Sequence, residues 1–441
     1  MENMGIYIKL QKIRAEINKD FIEPDNGHCT YGFFNLWWLD CILMLMGKFS
    51  HRDKMEFLES LQYEKKLAEF YHLLGINPKP NSLPLGVPAL GTWTDYKSHI
   101  VSLDNLEKCS FDLIPPSLLE RLQNAFHKNE KILGVPLSID GKQIIHSQHE
   151  GHCPIHTIQF VIEKTLVYAD FTYNENSWIK NKLEIGLETV FARFPEVLFC
   201  ATGDSIYNNS NTRKMFDDLG CQYFLPVKCP SEGYTLKSKI MEKSGIAESQ
   251  QKAFYYEPEV QFRNQCKVVD IVKLIPIQME HITCCLQIHR VWSSTVPDKD
   301  GKYKKEISDL LYISNTTEPM SKSLLRDLYR MKQQHWQVET YHQTKDVRLE
   351  EDRNRKAPLT ACINARKLDF LIQLIKTLYG GCKKKNFRQF AYDLTAELFA
   401  GAIFLVSCFF VFFRSFSSHI RSLRFVIRRQ RVFCLFFIEH Y

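Results

Sequence analysis

HWQVETYHQTKD, residues 335–346, is a stretch without glycine or proline whose residues favour a helix. One face of that helix carries four polar side chains, in steps of four, three and four residues: His335, Glu339, His342 and Asp346. Carboxylates among imidazoles suit a site that holds a cation. This stretch alone is equally typical of a solvated helix face of mixed charge. Other parts of the sequence are needed to distinguish that face from a cation site.

The composition is that of a globular protein. The 441 residues are 45% hydrophobic and 24% charged, enough for two or three domains with a sizeable core. The net charge of +7 comes from the end of the chain, because ten Lys and Arg residues against three acidic ones follow from Lys383 onward. The net charge therefore does not indicate nucleic-acid binding by residues 1–382, and only sequence motifs can.

The fourteen cysteines are scattered without a C-x-x-C pair, and no secretory signal precedes them. Reduced thiols in a cytoplasm are therefore expected, in place of a disulfide framework.

Residues 1–130 are predicted to form a helical N-terminal region for DNA-end binding or multimer contacts. Within it, Gly32–Ser50 is too short and too interrupted to cross a bilayer, so a buried helix is expected. Pro78, Pro80, Pro84 and Pro88 mark a linker or long ordered loop after it.

From residue 131 the pattern changes to alternating strands and helices, which predicts an α/β sheet with helices on its faces. Two apolar strands, Val135–Ile139 and Val197–Ala201, are each followed by an acid. Residues 231–319 are mostly β in character and suggest an inserted antiparallel subdomain. Helical patterns return over 321–379, and the domain is predicted to span 131–382.

The tail, 383–441, is basic and rich in Phe. Twelve of the 31 Phe lie from Phe390 onward, and Leu398–Phe413 is uncharged but slightly short of a membrane span. Three interpretations stay open: a membrane-associated segment, a buried helix, or the product of a truncated or frameshifted gene.

Three acids form the candidate site. Asp140 and Asp204 follow apolar strands, which places them at the edge of an α/β sheet where sites form. If Glu339 approaches on its helix, three carboxylates converge, and we expect them within roughly 4–8 Å of one another. Such a cluster repels itself unless cations bind it, and hard oxygen ligands suit two ions of Mg²⁺ or Mn²⁺.

Three segments carry a resemblance: Ser138-Ile139-Asp140-Gly141-Lys142, Gly203-Asp204-Ser205 and His335-Trp336-Gln337-Val338-Glu339. They resemble the three acidic blocks of the DDE transposases of prokaryotic insertion sequences, and the likeness covers about residues 132–380. It implies a ribonuclease-H-like fold with a β-rich insertion before the glutamate helix. It also implies that Asp140, Asp204 and Glu339 are catalytic and bind two metal ions.

The activity implied by the resemblance is cleavage of element ends at terminal inverted repeats and transfer into target DNA, by a homodimer in the cytoplasm on the nucleoid. Two alternatives remain. One is another nuclease on the same fold, and the other is an inactive transposase remnant that only binds DNA.

The chain departs from the related group with a Tyr-Arg-Glu-Lys signature. There an Arg precedes the glutamate by four residues and a Lys follows it by seven, whereas this chain has His335 and Asp346, with Lys345 one residue early. His335, Lys345 and Lys142 are therefore candidates for DNA contacts only. Trp336 would either pack into the core or stack on an unpaired base.

A dense group of possible zinc ligands follows the first acid: His146, His149, His152, Cys153 and His156. Their spacing matches no strong zinc pattern, and a polar loop near DNA is the preferred interpretation.

Overall fold

A computed structural model describes residues 6–19, 31–48, 50–77, 85–93, 118, 120, 122, 133–143, 156–172, 175–228, 236–263, 265–297, 299–345 and 367–375. These residues fall into two compact units, one ending at Trp93 and the other running from Leu118 to Ile375. The expected domain boundaries near 130 and 382 lie outside the described residues and stay predictions. The basic tail, 383–441, also lies outside the described residues.

The first unit contains four helices: α1 Ile6–Lys19, α2 Phe33–Leu45, α3 His51–Tyr63 and α4 Leu67–Leu73. Helix α2 is apolar on every side and almost entirely buried, so the predicted buried helix is confirmed. Its acid, Asp40, is itself buried and lies 2.5 Å from the ammonium of Lys54 on α3. This ion pair compensates the charge that the apolar helix carries into the core.

The second unit is built on ten strands: β1 Val135–Gln143, β2 His156–Ile162, β3 Thr165–Thr172, β4 Phe199–Thr202, β5 Gln222–Pro226, β6 Phe254–Tyr256, β7 Gln261–Arg263, β8 Cys266–Met279, β9 Ile282–Ser294 and β10 Lys305–Ser314. They form one sheet in the order β3-β2-β1-β4-β5-β10-β9-β8-β6, with β7 also paired to β8. Strands β1, β4 and β5 are parallel, and the other pairs are antiparallel.

Helices cover both faces of this sheet. They are α5 Glu175–Arg193, α6 Ser210–Asp218, α7 Leu236–Ser249, α8 Lys322–Gln334 and α9 Trp336–Gln343, and residues 367–375 are also helical. On one face Leu137 and Ile139 of β1 belong to a core that includes Leu187 of α5. On the other face Cys200 and Phe224 pack in a core with the leucines of α8. The expected mixed α/β sheet with flanking helices is confirmed.

The β-rich insertion differs from its prediction in two ways. It contains a helix, α7, and its strands extend the core sheet in place of forming a separate subdomain. The cause is β10, whose end pairs with β5 at Ile313–Leu225 while its full length pairs with β9. Strands β8, β9 and β10 therefore continue the same hydrogen-bonded sheet as β5.

Candidate active site

Asp140 lies within β1, on the strand that carries the apolar Leu137 and Ile139. The parallel pairing of β1 with β4 ends at Ser138–Thr202, but the antiparallel pairing with β2 continues to Gln143. The prediction that the strand ends at Asp140 is therefore wrong. Asp140 stands where β1 loses its neighbour on one side, which exposes one edge of the strand at this carboxylate.

Asp204 lies two residues beyond the end of β4. Because Ser138 is opposite Thr202, two further residues along each strand bring Asp204 level with Asp140. The intervening Gly203 is tightly enclosed, since a Cβ there would lie 2.8 Å from the ring of Tyr207 and 3.1 Å from the carbonyl oxygen of Ile139. Close packing thus fixes the turn that presents Asp204.

The third block approaches from helix α9, which packs against β1 and β2. The junction between α8 and α9 is tied to β1, because the hydroxyl of Ser138 donates to the carbonyl oxygen of Gln334 at 2.6 Å. Ser138 is two residues from Asp140, so this hydrogen bond places the start of α9 beside the first acid. Glu339 lies one turn into α9.

His335 lies between two of the acids. Its Nε2 atom is 3.3 Å from Oδ1 of Asp204 and 3.6 Å from Oε1 of Glu339. The two carboxylate oxygens are therefore no further apart than the sum of these distances. His342, one turn after Glu339, places Nδ1 at 3.3 Å from Oδ2 of Asp140. Together, Asp140, Asp204 and Glu339 are called the acidic site below.

The charge of each group in the acidic site affects the pKa of its neighbours. Burial disfavours a charged His335, but its contact with Asp204 and the charges of Asp140, Asp204 and Glu339 outweigh burial and raise the pKa of its imidazole. The contact with His335 lowers the pKa of Asp204 against the opposing effect of burial. Burial, helped by the charges of Asp140 and Asp204, raises the pKa of Glu339 although His335 opposes it. The site therefore favours a positive charge at the position of His335.

Among the described residues, no group of three or more His, Cys, Asp or Glu side chains is arranged to hold a metal ion as it stands. The space between Asp204 and Glu339 is taken by the imidazole of His335. The Nδ1 atom of that ring is buried and has no hydrogen-bond partner within the described ranges.

His342 is held from behind by a buried network. Its Nε2 atom is 2.7 Å from Oε1 of Gln159, whose amide nitrogen donates to Asp369 at 3.1 Å. Asp369 also accepts from the hydroxyl of Tyr341 at 2.8 Å and pairs with Lys345 at 3.0 Å. Neither Gln159 nor Asp369 was predicted from the sequence. The signal for Gln159 was a polar residue among the buried positions of β2.

The structure places the candidate DNA contacts in different environments. Lys345 is only 1% exposed and pairs with Asp369, so its assignment as a DNA contact is wrong. Trp336 is 61% exposed, so the alternative that it packs into the core is wrong. Lys142 lies on β1, two residues after Asp140. Of the possible zinc ligands only His156 is described, and it is buried on β2.

The part of the chain that the structure describes contains no helix long and apolar enough to cross a membrane. The apolar run Leu398–Phe413 lies outside it.

Comparison with protein-family models finds no match, and comparison with curated proteins finds none either. Seven solved chains match. One is a cryo-EM structure of a piggyBac transposase synaptic complex with hairpin DNA, at 9% sequence identity and a TM-score of 0.36, over 96% of this chain and 81% of that chain. A likeness at this TM-score carries no argument about the function of the present chain.

Proposed function

We propose that this protein is a DNA transposase that cleaves phosphodiesters and joins DNA ends with the help of two divalent ions, Mg²⁺ or Mn²⁺, at the acidic site. One observation carries the proposal. Asp140, Asp204 and Glu339, far apart in the sequence, converge on one edge of a mixed sheet at the start of a helix.

The donor chemistry fits hard divalent cations. Three carboxylates supply oxygen ligands, and two of them already contact the imidazole of His335. No described residue makes a hydrogen bond to the other nitrogen of His335, so the polar contacts that hold the ring are those with the acids. His342, by contrast, is anchored at both nitrogens. His335 is thus the group that a metal ion would replace.

Two ions in such a site supply activation of an attacking oxygen and stabilisation of the leaving one. The chain's own residues provide the rest. Asp140 lies on β1, Asp204 lies just beyond the end of the neighbouring β4, and Glu339 approaches from the helix that Ser138 ties to β1. The exposed Trp336 lies three residues before Glu339 and offers a stacking surface for a base.

The test is cleavage of a plasmid that carries the DNA flanking the gene on both sides, with Mg²⁺ or Mn²⁺. We expect Asp140→Asn, Asp204→Asn and Glu339→Gln each to lower cleavage by roughly a thousandfold or more, equivalent to about 4 kcal/mol in the barrier. DNA binding in a gel-shift assay should be largely unchanged, since the acids hold metal and not DNA. Asp309→Asn is the matched control, because Asp309 is a 76% exposed acid on β10 of the same sheet.

The same assay separates the alternatives. A pre-cut end with a free 3′-hydroxyl should be joined to target DNA by a transposase, whereas another ribonuclease-H-like nuclease would cleave without joining. A remnant that only binds DNA would shift the DNA but neither cleave nor join it. Near-normal cleavage by any one of the three acid variants would remove that residue from the site.

A further inference from the structure

Arg213, on helix α6, is a buried cation without an ion pair in the part of the chain that the structure describes. The residue is only 8% exposed, yet no described carboxylate pairs with its guanidinium. Its Nε atom is buried and has no hydrogen-bond partner within the same ranges. A buried charge is costly unless an opposite charge compensates it.

Other buried charges of this protein are compensated within the fold. Three such pairs are Asp40–Lys54, Asp270–Arg290 and Lys345–Asp369. Arg213 differs from them. Burial lowers the pKa of its guanidinium, and the nearby Tyr223 and Glu280 oppose this effect only in part. The side chain of Glu280 is 87% exposed and makes no ion pair with Arg213 among the described residues. An anion from outside the chain would complete the compensation.

The guanidinium of Arg213 reaches back to the start of α6. Its Nη1 atom donates to Oδ1 of Asn208 at 2.7 Å, and Asn208 directly precedes Asn209, the N-cap of this helix. The amide of Asn208 is itself held, because its Nδ2 atom donates to the carbonyl oxygen of Pro226 at 2.9 Å. That oxygen can only accept, so Oδ1 must face Arg213. The guanidinium therefore lies beside the first turn of α6.

The first turn of α6 offers further donors. The side chain of Asn209 accepts from the N–H of Thr212 at 2.9 Å, whereas the N–H groups of Ser210 and Asn211 have no acceptor inside the helix. Asn209, Ser210 and Asn211 are exposed, so this turn is accessible. Free N–H groups and the positive end of the helix dipole favour a phosphate. A guanidinium beside them adds charge-assisted hydrogen bonds to the same anion.

This turn lies at the edge of the sheet that carries the acidic site. Phe224 of β5 pairs with Thr202 of the parallel strand β4. Two residues further along each strand, Pro226 is level with Asp204. Because Pro226 holds the amide that contacts Arg213, the guanidinium lies at this same edge, one strand beyond Asp204.

We propose that Arg213 and the first turn of α6 form a phosphate-binding site, which holds a backbone phosphate of the DNA strand that reaches the acidic site. The assignment of this phosphate to DNA rests on the proposed function, whereas binding of a phosphate group does not. The contact carries no sequence information and serves to position the strand.

Inorganic phosphate is the first probe. The Tm of the full chain is measured in a titration with sodium phosphate, and with sodium chloride at the same ionic strength to correct for screening. We expect phosphate to raise Tm, and Arg213→Met to raise the apparent Kd for phosphate by roughly tenfold or more. Lys214→Gln is the matched control and should leave this Kd unchanged. Lys214 is the next residue of the same helix, but it is 62% exposed and pairs with Asp218.

Arg213→Lys separates a binding defect from a folding defect. It keeps the positive charge and should retain part of the phosphate effect. Without phosphate, Arg213→Met should keep or raise Tm, because an apolar side chain replaces a buried charge that has no opposite charge beside it. Three results would overturn the inference: no phosphate effect in the unaltered protein, an unchanged Kd in Arg213→Met, or an equal loss in Arg213→Lys.

DNA is the second probe. Gel shifts at several salt concentrations give the slope of the logarithm of the binding constant against the logarithm of salt concentration. Arg213→Met should reduce this slope by about one unit, as expected for one lost phosphate contact, and Lys214→Gln should keep it. A lost phosphate effect with an unchanged slope would overturn the assignment to DNA, because the site would then take a free phosphate. Absence of cleavage in the unaltered protein would contradict the proposed function instead, while both binding measurements would still decide this inference.

Discussion

The Nε2 atom of His335 lies 3.3 Å from Oδ1 of Asp204, on the side of the ring that also faces Glu339. A histidine thus sits among acids that are proposed to bind metal. Its positive form offsets their repulsion while no metal is bound, and its second nitrogen has no partner among the described residues to hold it there. This relationship makes the acidic site sensitive to pH in a predictable direction.

The metal-free protein should lose stability as the pH rises. The pKa of folded His335 is raised, whereas the unfolded chain has the ordinary value of about 6.5. The stabilising contribution is therefore complete below that value and disappears as the pH rises through the folded pKa. We expect His335→Gln to lack this component. Urea unfolding of both proteins in EDTA across the pH range measures it. A difference between them that does not vary with pH would contradict the interpretation.

Divalent ions should stabilise the protein, and more strongly at higher pH. A metal ion binds the folded state and competes with the positive charge of His335 for Asp204 and Glu339, so affinity should rise as that charge is lost. The measurement is the shift of Tm in a MnCl₂ titration at two pH values. Asp204→Asn should remove most of the shift, whereas Asp309→Asn should keep it. An equal shift in both variants would place the ion elsewhere.

The sequence was sufficient for the features that depend on local pattern. Apolar runs predicted β1 to β5, and the acids that follow two of these runs identified Asp140 and Asp204 as candidates. That both acids lie at one edge of the sheet could be predicted because parallel strands end at the same edge, whereas their register came from the structure. The position of Glu339 on a helix followed from its neighbours' propensities.

The remaining features depend on contacts distant in sequence. Asp369 is 210 residues from Gln159, and no sequence pattern near either residue predicts the hydrogen bond between them. Lys345 was wrongly assigned for a similar reason, because its burial is decided by Asp369 and not by its position after Glu339. Helix α7 was missed since its apolar residues lack a clear helical stripe, and the sheet supplies the packing that forms it.

Gly203→Ala should impair both stability and cleavage. The added methyl would meet the Tyr207 ring at 2.8 Å and the Ile139 carbonyl oxygen at 3.1 Å, so the turn before Asp204 must shift. We expect a loss of about 1–3 kcal/mol in the free energy of unfolding, typical of overpacking. Gly245→Ala, within α7 and open to added atoms, should instead gain about 0.5–1 kcal/mol. Chemical denaturation compares them. Equal effects of the two changes would show that the turn has room.

Ser138→Ala tests the link between the strand and the helix junction. The change leaves the partly buried carbonyl oxygen of Gln334 without the hydroxyl that donates to it at 2.6 Å, which should cost about 1–2 kcal/mol. Because the same bond places the start of α9, cleavage should fall more than stability alone explains. Thr283→Ala is a suitable control, since its hydroxyl also donates to backbone carbonyls but at β9. Cleavage equal in the two variants would mean that other contacts place α9.

A chain ending at Gly381 should retain the unit that holds the acidic site. Every side chain of the acidic site precedes that residue, and all ten strands of the described residues lie within 135–314. The removed segment carries ten Lys and Arg residues against three acids. Its loss should therefore weaken non-specific DNA binding and flatten the dependence of that binding on salt, because fewer phosphate counterions are released. Thermal unfolding, gel shifts at several salt concentrations and Mg²⁺-dependent cleavage measure the three effects. Loss of cooperative unfolding in the shortened chain would show that the tail belongs to the core, and the interpretation of the tail as the product of a damaged gene would then fail.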